Sequence, residues 1–238
     1  MSEKQIALVV GVGGGLGAAL GRRFAKEGMS VALAARGNEA TDPLAAMIEG
    51  AGGTARAYSL DATDEAAVVG LFEHVRDELG KPDLVVYNAG AYQRASILEA
   101  SAEDFERCWR TGCLGGFLVG REAAKAMAKR GSGTIIFTGA TASLRGSAGF
   151  FNLAVGKFGL RALAQSMARE LGPKGVHVAH VIIDGQIDGP YYAELAKERG
   201  PDALLAPDAI AEAYYTLHEQ HRSVWTQELD LRPWVEKF

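Results

Sequence analysis

The chain alternates between short, nearly uninterrupted apolar runs and longer stretches in which apolar residues return every three or four positions. The short runs predict strands at Ile6–Val10, Val31–Ala34, Ala55–Ser59, Leu84–Tyr87, Thr134–Thr138, Val176–Ile183 and Val224–Leu231. Between most of them the pattern predicts amphipathic helices. One begins at Leu16 and continues through Arg22–Lys26; another opens at Thr63, read as an N-cap with Asp64 and Glu65 in the first turn. Ser101-Ala-Glu-Asp104 predicts the start of a long helix running towards Lys129, and Phe158–Leu171 a helix closed by Gly172-Pro173. Apolar strands joined by helices imply a parallel sheet covered on both faces, because each crossover returns the chain to the same end of the sheet. The expectation is a single doubly wound α/β domain. Asp184–Pro207, with Gly185, Gly189, Pro190, Gly200 and Pro201, is the least regular segment and reads as a mobile excursion over the carboxyl ends of the strands.

Composition narrows the classes. The 238 residues are 48% hydrophobic and 23% charged, and a mean hydropathy of +0.01 is that of a compact soluble domain able to bury a core without disulfides or metals. A net charge of −4 leaves no bulk attraction for nucleic acid or an anionic membrane. No apolar stretch reaches the roughly 20 residues of a membrane span. The apolar run of the opening MSEKQIALVV is too short for a signal-peptide core, so a cytoplasmic location is expected. Cys108 and Cys113, five apart in a helical stretch, point to different sides and read as reduced thiols. His177 and His180 fall on opposite faces of a strand. His218 and His221 share a face only if their helix runs past Glu219, and neither pair has a third ligand, so no metal is expected.

The first candidate site follows the opening strand. Gly11-Val-Gly-Gly-Gly15-Leu16-Gly17 leads directly into a helix. Glycines let backbone approach a pyrophosphate, and the helix amino terminus offers unpaired N–H groups and partial positive charge, so a dinucleotide fits. The second strand ends in Ala34-Ala35-Arg36, without the acid that would meet the ribose 2′-hydroxyl of NAD(H). Arg36 either pairs with a 2′-phosphate, which favours NADP(H) and leaves NAD(H) open, or is an ordinary solvated residue.

With Asp61-Ala62 after the third strand, Asn88-Ala89-Gly90 after the fourth, Lys157 at the opening of a long helix and Gly185 after the sixth strand, the whole chain resembles the short-chain dehydrogenase/reductase family. The resemblance implies a Rossmann-like fold with a seven-stranded parallel sheet and an NAD(P)(H)-dependent oxidoreductase activity. It also implies assembly into dimers or tetramers through the helices near residues 104–129 and 153–171. By resemblance Gly11, Gly15, Leu16 and Gly17 hold the pyrophosphate, Asp61 and Ala62 flank the adenine, and Asn88, Ala89 and Gly90 line the central region. Lys157 bonds the nicotinamide ribose, and Gly185 and Ile187 lie on the nicotinamide side.

The family's chemistry also uses a Tyr as proton donor, a Ser and an Asn. Here the Tyr slot, four residues before Lys157, is Leu153; the Ser slot is Ala140; the Asn slot is Gly112. The alternative Tyr spacing of the enoyl reductases falls on Phe150. After the sixth strand the usual Pro and Thr are replaced by Asp184-Gly185-Gln-Ile-Asp188. A relocated donor among Thr138, Thr141, Tyr92, Asp184, Tyr191 and Tyr192 is open, Asp184 first, because a desolvated carboxyl retains its proton nearer neutrality. The bland reading, in which Asp184 caps or turns the chain and Tyr191 and Tyr192 pack, is the stronger of the two. Two functions remain: an oxidoreductase with an altered proton donor and an unknown small-molecule substrate, or a non-enzymatic NADP(H)-binding sensor or partner subunit. Trp225 and Trp234 read as interface anchors or core.

Overall fold

A computed structural model describes residues 4–236. Seven strands form one parallel sheet: β1 Ile6–Val10, β2 Ser30–Ala35, β3 Thr54–Ser59, β4 Leu84–Tyr87, β5 Gly133–Thr138, β6 Val176–Ile183 and β7 Glu228–Leu231. Their order is β3-β2-β1-β4-β5-β6-β7, so the direction of winding reverses between β1 and β4, whose register pairs Val10 with Tyr87.

Alternation along each strand sorts the core into two layers. Ala7 and Val9 of β1 face helices α1 (Leu16–Lys26), α2 (Thr41–Gly50) and α8 (Pro207–His218) through Leu20, Phe24, Leu44, Ile210 and Tyr214. Ile6, Leu8 and Val10 face α3 (Glu65–Glu78), α5 (Gly115–Arg130) and α6 (Phe151–Leu171) through Val68, Leu71, Leu118 and Leu160. Burial on both faces is why these strands read as continuous apolar runs. The remaining helices are α4 (Ala102–Trp109) and α7 (Ala193–Arg199).

Several elements depart from the expectations. The N-cap of α3 is Asp64, whose side chain accepts from Ala67 N; Thr63 instead donates its N–H and hydroxyl to Asp61 Oδ1. Helix α6 starts at Phe151, so Lys157 sits in its second turn and does not open the helix. Its first turn is held by Asn152 Nδ2 donating to Gln93 O at 2.5 Å and by Phe151 stacking on Phe105. The last strand is shorter, because the backbone and hydroxyl of Thr226 are bonded by the Gln220 side chain and Trp225 lies flat on His177, ring centroids 5.0 Å apart. Helix α8 stops at His218, so His221 does not share its face and instead caps a 3-10 turn at Arg222–Val224. The segment after β6 carries a 3-10 turn, α7 and a bridge from Ile187 to Leu205.

The long helix expected towards Lys129 is broken by a π turn, Arg110–Leu114. Tyr87, fully buried at the end of β4, donates its hydroxyl to the Thr111 carbonyl at 2.6 Å. A Cβ on Gly115 would fall on that phenol oxygen and lie 3.0 Å from Ala62 O. The phenol therefore occupies the space of a side chain, and the inserted π residue frees a carbonyl to receive it.

Gly115→Ala is expected to cost about 2 kcal/mol, lowering Tm by roughly 5 °C in a chain of this size. In a Tyr87→Phe background, where the hydroxyl is gone, thermal unfolding should show a smaller loss.

Candidate active site

At the reversal point, Gly11 N and Val12 N donate to Ala34 O of β2, and Asn88 Nδ2 donates to Gly11 O at 2.9 Å. Gly11 has φ +95°, and a Cβ there would fall on Ala89 N and lie 2.7 Å from Asn88 C. Only glycine meets both demands. Gly17 is constrained by space alone, its Cβ position lying 2.7 Å from Val12 Cα, whereas Gly13, Gly14 and Gly15 face open space. Helix α1 begins beyond them with no side-chain cap and no acid in its first turn.

The carboxyl ends of β1, β2, β3 and β4 and the face of α4 enclose a cavity of about 1010 Å³. Gly11, Arg36, Asp61, Ala62, Asn88, Ala89 and Gly90 all line it, so these sequence-named residues converge. Gly15, Leu16, Gly17, Lys157, Gly185 and Ile187 are outside its lining. Leu16 packs into the core, Gly185 lies against Pro233, and Ile187 bridges to Leu205. Asp61 is held below the usual carboxylate range by the Thr63 N–H and hydroxyl, with Arg36 and Arg110 adding to the effect.

Sequence reasoning did not single out Glu39, Arg107 or Arg110, which also line the cavity. Glu39 folds its carboxylate back over Gly37. The signal for the α4 pair was available in the spacing of Arg107 and Arg110, but the π turn that orients the second was not.

Lys157 is buried, and its ammonium donates to Thr138 O at 2.7 Å, close to the space in front of Gly90. Burial pushes its pKa down to about 8. Leu153 lies one turn earlier on α6, half-buried. Ala140 donates its N–H to Ser143 Oγ at 3.1 Å. Gly112, in the π turn, packs backbone to backbone on Gly156, each Cβ position lying 3.3–3.4 Å from the other's Cα.

Among the alternative donors, Thr138, Thr141 and Asp184 have polar partners. Thr138 Oγ1 bonds Tyr214 OH at 2.9 Å, and Thr141 donates to Asp184 Oδ1 at 2.5 Å while Arg232 lies 3.3 Å from Oδ2. Tyr92 stacks on Phe150 with ring centroids 5.1 Å apart. Tyr191 is almost fully exposed and meets Tyr192 edge-on. Among the described residues no group of three or more His, Cys, Asp or Glu side chains could hold a metal ion. Cys108 and Cys113 are free, and burial raises both thiols.

The cavity, the open glycines and the uncapped helix terminus fit an elongated phosphate-bearing ligand such as a nicotinamide dinucleotide. The comparisons agree. Residues 5–199 match the family model described as short chain dehydrogenase. A short-chain dehydrogenase/reductase of Armillaria gallica is 35% identical over 195 residues, covering 81% of this chain and 74% of that protein. The crystal structure of a short-chain dehydrogenase from Rhodopseudomonas palustris superposes with a TM-score of 0.84 at 42% identity, covering 97% of this chain and 99% of that one. A metagenomic short-chain oxidoreductase solved in complex with NADP gives 0.84 at 26% identity, with 96% and 97% covered. The chain belongs to the short-chain dehydrogenase/reductase family of NAD(P)-dependent oxidoreductases.

The Lys157 ammonium generates a testable pH dependence. Its pKa is lower folded than unfolded, so between about pH 8 and its unfolded value near 10.4 the unfolded chain binds more protons, and stability rises with pH. Lys157→Met lacks this rise. Denaturant unfolding should show the stability of the variant relative to the natural chain falling by about 2–3 kcal/mol from pH 7 to pH 10.

Proposed function

We propose that this chain is an NADP(H)-dependent oxidoreductase whose proton step does not use the family's usual Tyr–Ser pair. Arg36 carries the cofactor preference: it lines the cavity directly after β2, which ends without an acidic residue, so its guanidinium is placed for a ribose 2′-phosphate. The glycine turn and the α1 terminus would hold the pyrophosphate, Asp61 and Ala62 the adenine, and Asn88, Ala89 and Gly90 the central region. Lys157 would bond the nicotinamide ribose, with Gly185 and Ile187 towards the nicotinamide. The bound dinucleotide supplies the hydride. Glu39, folded over Gly37, favours NAD(H).

Leu153 has no proton to give, and a positioned general acid contributes roughly 10²–10⁴ in rate. Ala140 presents no hydroxyl to a developing oxyanion, a loss of roughly 10²–10³ where such a donor is removed. Gly112 completes the set of altered positions. Substrates that need little acid assistance are therefore favoured over simple ketones. A second reading, a cofactor-binding sensor or partner subunit without turnover, is favoured by the prior engagement of Thr138, Thr141 and Asp184.

Fluorescence titration is expected to give saturable binding of NADPH tighter than NADH. Arg36→Ala should weaken NADPH by about tenfold or more and leave NADH nearly unchanged. A panel of carbonyl and enoyl compounds separates the two readings: stereospecific oxidation of NADPH supports the enzyme, and binding without turnover the sensor. Ala140→Ser with Leu153→Tyr should introduce carbonyl reduction if the missing pair is the only obstacle.

Trp109, Phe117, Val155 and Phe158 expose apolar side chains on α4, α5 and α6, supporting assembly through these helices. Light scattering is expected to give a dimer or tetramer, and Phe158→Glu to reduce its mass.

A further inference from the structure

The outer wall of the cavity is a single helix face. Glu103, Glu106, Arg107 and Arg110 recur at intervals of three and four residues, and all four line the cavity. Arg107 is committed elsewhere, donating to Gln93 Oε1 at 2.6 Å and to Asp104 Oδ1 at 2.8 Å. Arg110 is held loosely, with Nη2 3.4 Å from Thr63 O and Nη1 3.6 Å from Glu106 Oε1. Both contacts are long for hydrogen bonds. Arg110 is also the first residue of the π turn, whose inserted residue sets the register of the helix beside the cavity.

Its location is informative. Thr63 is bonded to Asp61, so Arg110 stands beside the Asp61–Thr63 turn, while Arg36 approaches from the end of β2. The two guanidinium groups therefore flank one end of the cavity from different walls. A guanidinium held only by long contacts beside a cavity suits a flat aromatic base better than a compact anion, because it gains from stacking as well as charge.

We propose that Arg110 is a binding residue for the adenosine end of the ligand, its guanidinium stacking on the adenine from the α4 side while Arg36 meets the ribose from β2. The inference rests on the cofactor reading above and deepens it. It assigns the π turn a role in binding: it delivers Arg110 to the cavity while making room for Tyr87.

The test is a calorimetric titration of NADPH, NADH and ADP-ribose into the natural chain, Arg110→Ala, Arg110→Lys, Arg110→Tyr and Arg36→Ala, with thermal unfolding of each. Arg110→Ala should weaken all three ligands by a similar factor, about tenfold. Arg110→Lys, which retains the charge without the plane, should recover little, and Arg110→Tyr, which restores a stacking face, should recover most of the affinity. Arg36→Ala should weaken NADPH alone. Unchanged affinity in Arg110→Ala, a loss confined to NADPH, full recovery by Lys or no recovery by Tyr each overturns the assignment. If the natural chain binds none of the three ligands, the cofactor reading fails and this inference with it. If it binds them and Arg110→Ala binds equally well, only this inference fails.

Discussion

The close approach of two strand ends governs this molecule. β1 and β4 are hydrogen-bonded neighbours wound in opposite directions from a common origin, and their carboxyl ends meet where Gly11 touches the backbone of Asn88 and Ala89. Any side chain at position 11 would push these ends apart. The contact is locked by Asn88 Nδ2 on Gly11 O, and Gly11 N is anchored to β2 through Ala34 O. From this junction the chains diverge to opposite faces of the sheet, and the divergence itself makes the crevice. Arg36, Asp61 and Gly90 line one cavity because each follows a strand that ends at that edge.

A second junction, between α6 and the broken helix α4–α5, determines what stands beside the crevice. Gly112 and Gly156 let the two backbones touch, and Lys157 follows immediately, its ammonium drawn to Thr138 O at the end of β5. Leu153 lies one turn before this lysine on α6, and the hydroxyls of Thr138 and Thr141 are bonded within the fold. Tyr214 from the opposite layer takes Thr138, and Asp184 takes Thr141.

The strands were legible because burial on both faces leaves an uninterrupted apolar run, as in Leu84–Tyr87 and Val176–Ile183. The glycine turn was legible because its glycines recur at fixed spacing between a strand and a helix, although the contact that demands Gly11, with Asn88 and Ala89, is tertiary. The start of α6 was not, since Phe151 and Asn152 are fixed by Phe105 and Gln93, remote in sequence. The π turn was equally hidden, because its cause is the Tyr87 phenol arriving from another element. Arg110 and Glu39 look like ordinary surface charges until α4 and the β2 exit close over the same cavity.

By itself, then, the sequence determined the α/β alternation, the glycine turn, and the absence of a tyrosine four residues before Lys157. Each depends on residue type at fixed spacing along one segment, which local steric and hydrophobic rules suffice to read. Tertiary structure alone decided which charges face the crevice, which hydroxyls are committed before a ligand arrives, and how far burial lowers the Lys157 ammonium. These quantities are set by distance and desolvation between segments that lie far apart in sequence, and no single stretch of chain contains them.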